Sequence, residues 1–374
     1  MRKRSNLSLH INSSALLENV RQIRGICGSR VRFCAITKAN AYGHGSCEIT
    51  KLLAQSDIEY FGVFTPDEAF DYAGKVKQKY LALEPVHPDM PGVLLHEAAE
   101  LGVECTIASL QSAEYAAAML ENTKIPLKVH INIDTGMGRC GIQHEEFPQL
   151  LEFVNQQETL KLVGIYTHFP AADEEDLTFT RKQINEFESI ISESRGNISN
   201  DVILHAANSA AALRLSETRL DMVRCGLGMY GCLSLPEITG IKLKPVMRLT
   251  APIIHIATIK QGQSVSYGRT FTAQRETTIG IVPVGYADGY DLRHSSNAVM
   301  KVCGCKAPVI GRVTMSLTVI DLTDIPWASP GASATILDDR PGSPCSAEAL
   351  AKARGTIVYE VLTSAPADAT IIVE

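Results

Sequence analysis

Lys38 stands at the end of a short apolar run and is followed by Ala39-Asn40-Ala41-Tyr42-Gly43-His44-Gly45. A lysine at the rim of an apolar segment can form a Schiff base, because desolvation lowers its pKa and frees the amine. Other apolar runs also end in groups that could do chemistry. They lead into Asp134-Thr135-Gly136-Met137-Gly138-Arg139, Thr167-His168-Phe169, His205-Ala206-Ala207-Asn208-Ser209 and Arg224-Cys225-Gly226-Leu227-Gly228. Asn208-Ser209 and Gly226-Leu227-Gly228 could hold a phosphate through backbone N–H groups and a helix start. Each residue has a plainer reading alone. Lys38 could be a surface lysine, Arg139 an ion-pair partner, Ser209 a helix N-cap, Gly136 and Gly138 turn formers, and His168 a packed core histidine. Their joint placement favours the chemical reading.

That placement depends on the elements beneath. From residue 31 to about 226, eight apolar, β-branched runs alternate with segments of helical spacing. The runs are Val31–Thr37, Tyr60–Phe64, Lys79–Leu83, Glu104–Ala108, Leu127–Asp134, Leu162–His168, Val202–His205 and Met222–Arg224. Strand–helix alternation gives βαβ units and a parallel sheet. Eight units predict a (β/α)8 barrel, in which chemistry gathers at the C-terminal strand ends and phosphate sits after strands seven and eight. An open doubly wound sheet is the runner-up, but no G-x-G-x-x-G follows the first run. Phosphate beside a desolvated lysine points to pyridoxal 5'-phosphate (PLP).

After about residue 240 strand-like runs follow one another with few helices, which predicts a mostly antiparallel β domain. The runs include Val246–Ile256, Ser264–Tyr267, Thr277–Val284, Thr318–Leu322, Ser333–Leu337, Val358–Leu362 and Ala369–Val373, with a helix over Ala347–Ala353. Pro and Gly cluster near Ser234–Lys242, where the boundary is expected.

Composition narrows the field. The chain has 374 residues, 45% hydrophobic and 20% charged, with a net charge of −6. That balance argues against nucleic acid, which wants a basic face. No apolar h-region follows Met1-Arg2-Lys3-Arg4 and no long apolar stretch exists, so neither a secretory signal nor a membrane span is expected. The ten cysteines are scattered, several within apolar runs, as reduced core thiols in a cytoplasm would be. Cys303-Gly-Cys305 lacks a second Cys/His pair, so no metal is expected.

The motifs together resemble the alanine racemase family. Ala35-Ile36-Thr37-Lys38-Ala39-Asn40-Ala41-Tyr42-Gly43-His44-Gly45 looks like its PLP-lysine signature. The resemblance continues through the segments above to Tyr267-Gly268-Arg269, Gly285-Tyr286-Ala287-Asp288-Gly289-Tyr290, Gly311-Arg312-Val313-Thr314-Met315 and Tyr359-Glu360. It implies a PLP barrel over residues 12–238 and a β domain over 239–374 that takes its first strand from residues 1–11. It also implies a homodimer with composite active sites and a small amino acid as substrate. Lys38 would carry the cofactor and act as one base, with Tyr267 of the partner subunit as the opposing one. Arg224 would bond the pyridine nitrogen, with His205 and His168 around it, and Arg139 would reach the cofactor's phenolic oxygen and the substrate. Tyr42, Asn208, Ser209, Tyr359, Gly226 and Leu227 would line the phosphate site. Met315 of the partner subunit would offer its backbone N–H to the substrate carboxylate. D-Alanine for peptidoglycan would be the product.

The pattern is broken in places. Asn132 stands seven residues before Arg139, where many relatives carry a carbamylated lysine. Lys128, four residues away and so about 13 Å along the strand, cannot replace it. A small anion such as chloride between Asn132 and Arg139 is the expected substitute. Ser316 replaces a common Asp, Cys225 a common Pro, and Ala367-Asp368 a basic pattern. A serine or broad-specificity racemase on the same fold is the rival reading. A decarboxylase is disfavoured by Arg224, and a non-catalytic PLP-binding protein by the second domain carrying Tyr267.

Overall fold

The chain opens with a strand, β1 (Arg4–Ile11), and a helix over Ser13–Cys27. The Asn12 side chain caps that helix by accepting from Ala15 N–H at 2.9 Å. Eight parallel strands follow: β2 (Arg32–Ile36), β3 (Tyr60–Val63), β4 (Lys79–Pro85), β5 (Glu104–Ile107), β6 (Leu127–Asn132), β7 (Leu160–Tyr166), β8 (Ile203–His205) and β9 (Met222–Cys225). They close a barrel because β2 pairs with both β3 and β9. Each matches one of the apolar runs. The computed structural model describes residues 4–233, 235 and 240–374, so the expected boundary at 238/239 lies outside the described residues.

Side chains alternate along a strand, and the barrel lumen is divided accordingly. Cys34, Ile36, Tyr60, Leu81, Ile203 and Met222 form a small apolar cluster separate from the main core. Glu104, His130, Tyr166, His205 and Arg224, on β5 to β9, form a buried polar group. The outer faces, including Phe33, Phe61, Val129, Ile165 and Val223, join the main core under the helices.

Beyond the barrel come β10 (Met247–Pro252), β11 (His255–Ile259), β12 (Ser264–Val265), β13 (Phe271–Thr272), β14 (Thr277–Val282), β15 (Val299–Val302), β16 (Cys305–Pro308), β17 (Thr318–Asp321), β18 (Ser333–Leu337) and β19 (Ala369–Val373). One sheet has the order β16-β15-β18-β10-β1-β19, and a smaller one β11-β14-β17. The N-terminal strand thus lies in the C-terminal sheet, antiparallel to β10 and parallel to β19.

Three local expectations are corrected. Val246–Ile256 is not one strand, because the chain changes sheets after Pro252: Ile253 N–H bonds Ala332 and Ile254 N–H bonds Ile281. The run Ser264–Tyr267 stops at Val265, since Ser266 takes φ +65° and Tyr267 begins a tight turn. Val358–Leu362 is a helix, Val358–Thr363. Val358, Val361 and Leu362 meet the core at helical spacing, and this packing overrides the strand propensity of Val and Tyr.

Candidate active site

Lys38 leaves β2 into an unusual backbone. Ala39, Asn40, Ala41 and Tyr42 all have φ of 53–54°, a single left-handed helical turn without glycine. Such a conformation costs an L-residue about 1–2 kcal/mol, so the surroundings must impose it. Ala41 N–H bonds Thr37 O at 2.8 Å, Gly45 N–H bonds Asn40 O at 3.0 Å, and Ser46 N–H bonds the Asn40 side chain at 2.9 Å. Glu68 accepts from Ala39 N–H and Phe64 N–H. His44 Nδ1 faces Ala41 O and Tyr42 O, both at 3.0 Å, so that nitrogen carries the proton. The His44 ring stacks on Tyr230 at 4.3 Å. Gly43 is obligatory: a β-carbon there would lie 2.1 Å from Leu362 O. His44 stands in the sequence motif without a role, and Glu68 and Tyr230 lie outside it, for nothing in their spacing marks any of the three as braces of this turn. Burial, and then the Arg139 charge, pull the Lys38 amine below its ordinary value.

Arg224 rises from β9 into the same mouth. Its guanidinium donates to His205 Nδ1 at 2.7 Å, Thr167 O at 2.7 Å, Ala206 O at 3.1 Å and His168 Nδ1 at 3.2 Å. It also stands 4.9 Å over the Tyr166 ring. These contacts fix the plane of a fully desolvated cation.

At the other edge lies the expected phosphate end. Ser209 Oγ accepts from Gly226 N–H at 2.9 Å and Gly228 N–H at 3.3 Å. A β-carbon on Gly226 would come within 2.5 Å of the Tyr42 hydroxyl. Tyr359, on the helix Val358–Thr363, has its ring 6.1 Å from Tyr42. Leu227 is buried between these groups and Met229 in the chain. Asn208, rather than Ser209, is the helix N-cap: its Oδ1 accepts from Ala211 N–H and its amide donates to Phe169 O.

Arg139 sits on a loop whose order comes from Asp134, a residue quoted in the motif without a role. Its carboxylate accepts from Gly136, Met137 and Gly138 N–H at 2.8–3.1 Å. Asn132 donates one amide hydrogen to Cys140 O at 3.0 Å, which ties the far end of the loop to β6. That leaves its second amide hydrogen for the expected anion.

Tyr267 and Met315 lie in the C-terminal β region, 72% and 59% exposed. Their segments and the Gly285–Tyr290 segment converge on one another. Ser266 Oγ donates to Arg312 O, while Tyr286 and Ala287 N–H bond Thr314 O and Met315 O. A β-carbon on Gly285 would lie 2.1 Å from Thr314 O, so the glycine lets the two loops touch. The result is a surface bearing exposed Tyr267, Tyr286, Met315 and Leu317.

Buried neutral histidines give the molecule an acid sensitivity. Burial, followed by the Arg224 charge, pulls His168 down to about 3. Burial pulls His44 down to about 4 and His205 well below its ordinary value. The unfolded chain binds protons at these positions below the ordinary value and the folded chain does not, so stability falls as pH drops from about 6.5 toward about 4. Each histidine contributes up to about 1.4 kcal/mol per pH unit in that window. Urea midpoints at pH 7 and pH 5 should differ clearly, and equal midpoints would contradict this reading.

Comparison with known proteins follows this geometry. The model "Alanine racemase, N-terminal domain" matches residues 11–234, and "Alanine racemase, C-terminal domain" matches residues 246–372. Alanine racemase 2 of Caldanaerobacter subterraneus subsp. tengcongensis is 32% identical over 94% of this chain and 91% of its own length. The alanine racemase of Desulfovibrio desulfuricans is 34% identical over 94% of each. Among solved structures, alanine racemase of Clostridium difficile 630 superposes with a TM-score of 0.91 at 29% identity, over 99% of this chain and 96% of that one. The Bacillus anthracis enzyme, solved with bound L-Ala-P, gives a TM-score of 0.90 at 30% identity, over 100% and 96%. Among the described residues, no helix is long and apolar enough to cross a membrane.

Proposed function

The chain belongs to the alanine racemase family, PLP-dependent isomerases that interconvert L- and D-alanine, and we propose that Lys38 and Tyr267 of the partner subunit are its two opposed bases. The observation that carries the reading is Arg224, locked by His205, His168 and two carbonyls at the mouth that also holds Lys38. The residues present fit the cofactor. Hydroxyls of Ser209, Tyr42 and Tyr359 and the backbone at Gly226 and Leu227 suit a phosphate. The bare Cα of Gly226 leaves a cradle that a β-carbon would fill.

When bound, PLP supplies an electron sink that makes the substrate's Cα proton acidic. The chain's own groups do the rest. Racemisation needs proton removal on one face and return on the other, hence a base on each side. Lys38, pulled below its ordinary value by burial and the Arg139 charge, gives up its proton more readily than a solvated lysine does. Tyr267 supplies a phenol from the opposite face, and its exposure in the single chain leaves it available to a partner. Arg224 donates hydrogen bonds but cannot hand over a proton, which limits the sink and disfavours transamination. Arg139 presents its cation to the reacting end, and the Met315 N–H of the partner subunit orients the substrate carboxylate. This reading takes the enzyme to be a cytoplasmic homodimer that supplies D-alanine for peptidoglycan, with no nucleic-acid partner.

Borohydride reduction of the loaded enzyme should fix the cofactor on the peptide carrying Lys38. Racemisation should be fastest with alanine when alanine, serine and lysine are compared. A label mapped to another lysine, or serine turned over faster than alanine, would overturn the corresponding assignment.

A further inference from the structure

Behind Arg224 a line of buried polar side chains crosses the barrel lumen, and the mechanism above leaves most of it unused. His205 Nδ1 accepts from Arg224 at 2.7 Å, and its Nε2 lies 2.9 Å from His130 Nδ1. His130 Nε2 lies 2.7 Å from a Glu104 carboxylate oxygen, with both side chains fully buried. Only one proton arrangement satisfies all three contacts. Arginine has no acceptor, so His205 Nδ1 must be bare and its proton must be on Nε2. His130 Nδ1 must then accept, which leaves its single proton on Nε2, aimed at Glu104. The chain therefore runs in one direction, from Arg224 through two neutral imidazoles to a carboxylate. Hydrogen bonds in such a chain polarise one another, and a buried cation needs a counter-charge.

The lumen is shaped for this line. A β-carbon on Gly164 would lie 2.0 Å from His130 Nδ1, so glycine on β7 makes room for the ring. Tyr166 stacks on His205 at 4.8 Å. Burial pushes the Glu104 carboxyl up, but the hydrogen bond donated by His130 leads the interactions that hold the group below the ordinary range. Lys79, half-exposed at the start of β4, is 3.6 Å from the other Glu104 oxygen. As a solvated partner it contributes little.

We propose that Glu104 is a positioning residue for racemisation: through His130 and His205 it balances the buried charge of Arg224 and fixes where that guanidinium points. The proposal rests on the racemase reading of the site. It places a determinant of the reaction at the N-terminal end of β5, across the lumen from Lys38.

Glu104→Gln tests it, because the amide oxygen still accepts from His130 while the charge is gone. In the cofactor-free protein with 15N-labelled histidine, the His130 and His205 Nε2 protons should appear as protected signals. Both should move upfield in the variant, since a charge-assisted bond has become neutral. In the loaded enzyme kcat should fall roughly tenfold or more, with KM changed by less than about twofold. The visible absorbance titration of the lysine-bound cofactor should move to lower pH, because losing a negative charge disfavours the protonated form. Lys79→Met should change none of these. His130→Asn should lose kcat similarly, and the double variant should lose no more, as members of one unit do. Should Glu104→Gln fail to fold, His130→Asn and Gly164→Ala interrupt the line with the charge retained, and a roughly tenfold fall in kcat with KM nearly unchanged, together with a moved His205 Nε2 proton signal, supports the proposal in either. Additive losses, an unmoved titration, or a proton on His130 Nδ1 would overturn it. The histidine signals need no cofactor or substrate, so they separate failure of this proposal from failure of the racemase reading.

Discussion

Mixing Lys38→Ala subunits with Tyr267→Phe subunits should restore about a quarter of native racemase activity to two inactive proteins. Each substitution alone removes one of the two bases, and loss of a positioned acid–base group costs about 10²–10⁴-fold. Lys38→Ala also removes the cofactor's covalent anchor. Recovery depends on where Tyr267 acts. It is 72% exposed in the single chain, on a surface built with Met315. If it completes the partner's site, random pairing makes about half the dimers mixed, and each mixed dimer has one site bearing both lesions and one bearing neither. Co-expression with two affinity tags isolates the mixed dimer, which should show about half of native activity. Tyr267→Phe alone should keep hydrogen exchange on the face served by Lys38 and lose it on the other. Mixed dimers as inactive as their parents would place both bases in one chain, and symmetric racemisation by Tyr267→Phe would remove Tyr267 from the chemistry.

The barrel was legible because its strands are buried on both sides. Runs such as Tyr60–Val63 and Glu104–Ile107 are buried at every position, and each is bounded by helical spacing. Chemistry at the strand ends was legible because Lys38, His205 and Arg224 interrupt or close such runs. Less visible were groups whose role is to hold other groups. The left-handed turn after Lys38 has no local signature, since Ala39 and Ala41 favour ordinary helix; contacts from Glu68, His44 and Tyr230, remote or separated by the turn itself, impose it. Asp134 was part of a motif, but its function as acceptor for three loop N–H groups needed coordinates. The Val358–Thr363 helix was missed because two valines and a tyrosine suggested a strand, whereas its neighbours are the Lys38 turn and another helix.

Arg224→Glu should convert a selective racemase into a slow and leaky one. The native guanidinium has four donated contacts and no proton to give. A carboxylate at the same place reverses each of those terms. Thr167 O and Ala206 O lose a donor, which costs about 1–3 kcal/mol for each buried acceptor left unpaired. His205 and His168, held neutral by burial and by the Arg224 charge, would face an anion and bind protons more readily. A carboxylate also favours a proton on the cofactor nitrogen we assign to Arg224, which strengthens the sink the arginine restrains. Racemisation should fall about 10²–10³-fold, the usual loss when one pre-organised donor is removed. The fraction of turnovers diverted to pyruvate and aminated cofactor should rise at the same time. Arg224→Met separates charge from geometry: it removes the donor without adding an acceptor, so it should slow racemisation while diverting fewer turnovers than Glu. The ratio of pyruvate formed to alanine racemised, followed in both variants, decides the matter. If Glu and Met divert turnovers equally, Arg224 orients its surroundings and does not restrain the sink.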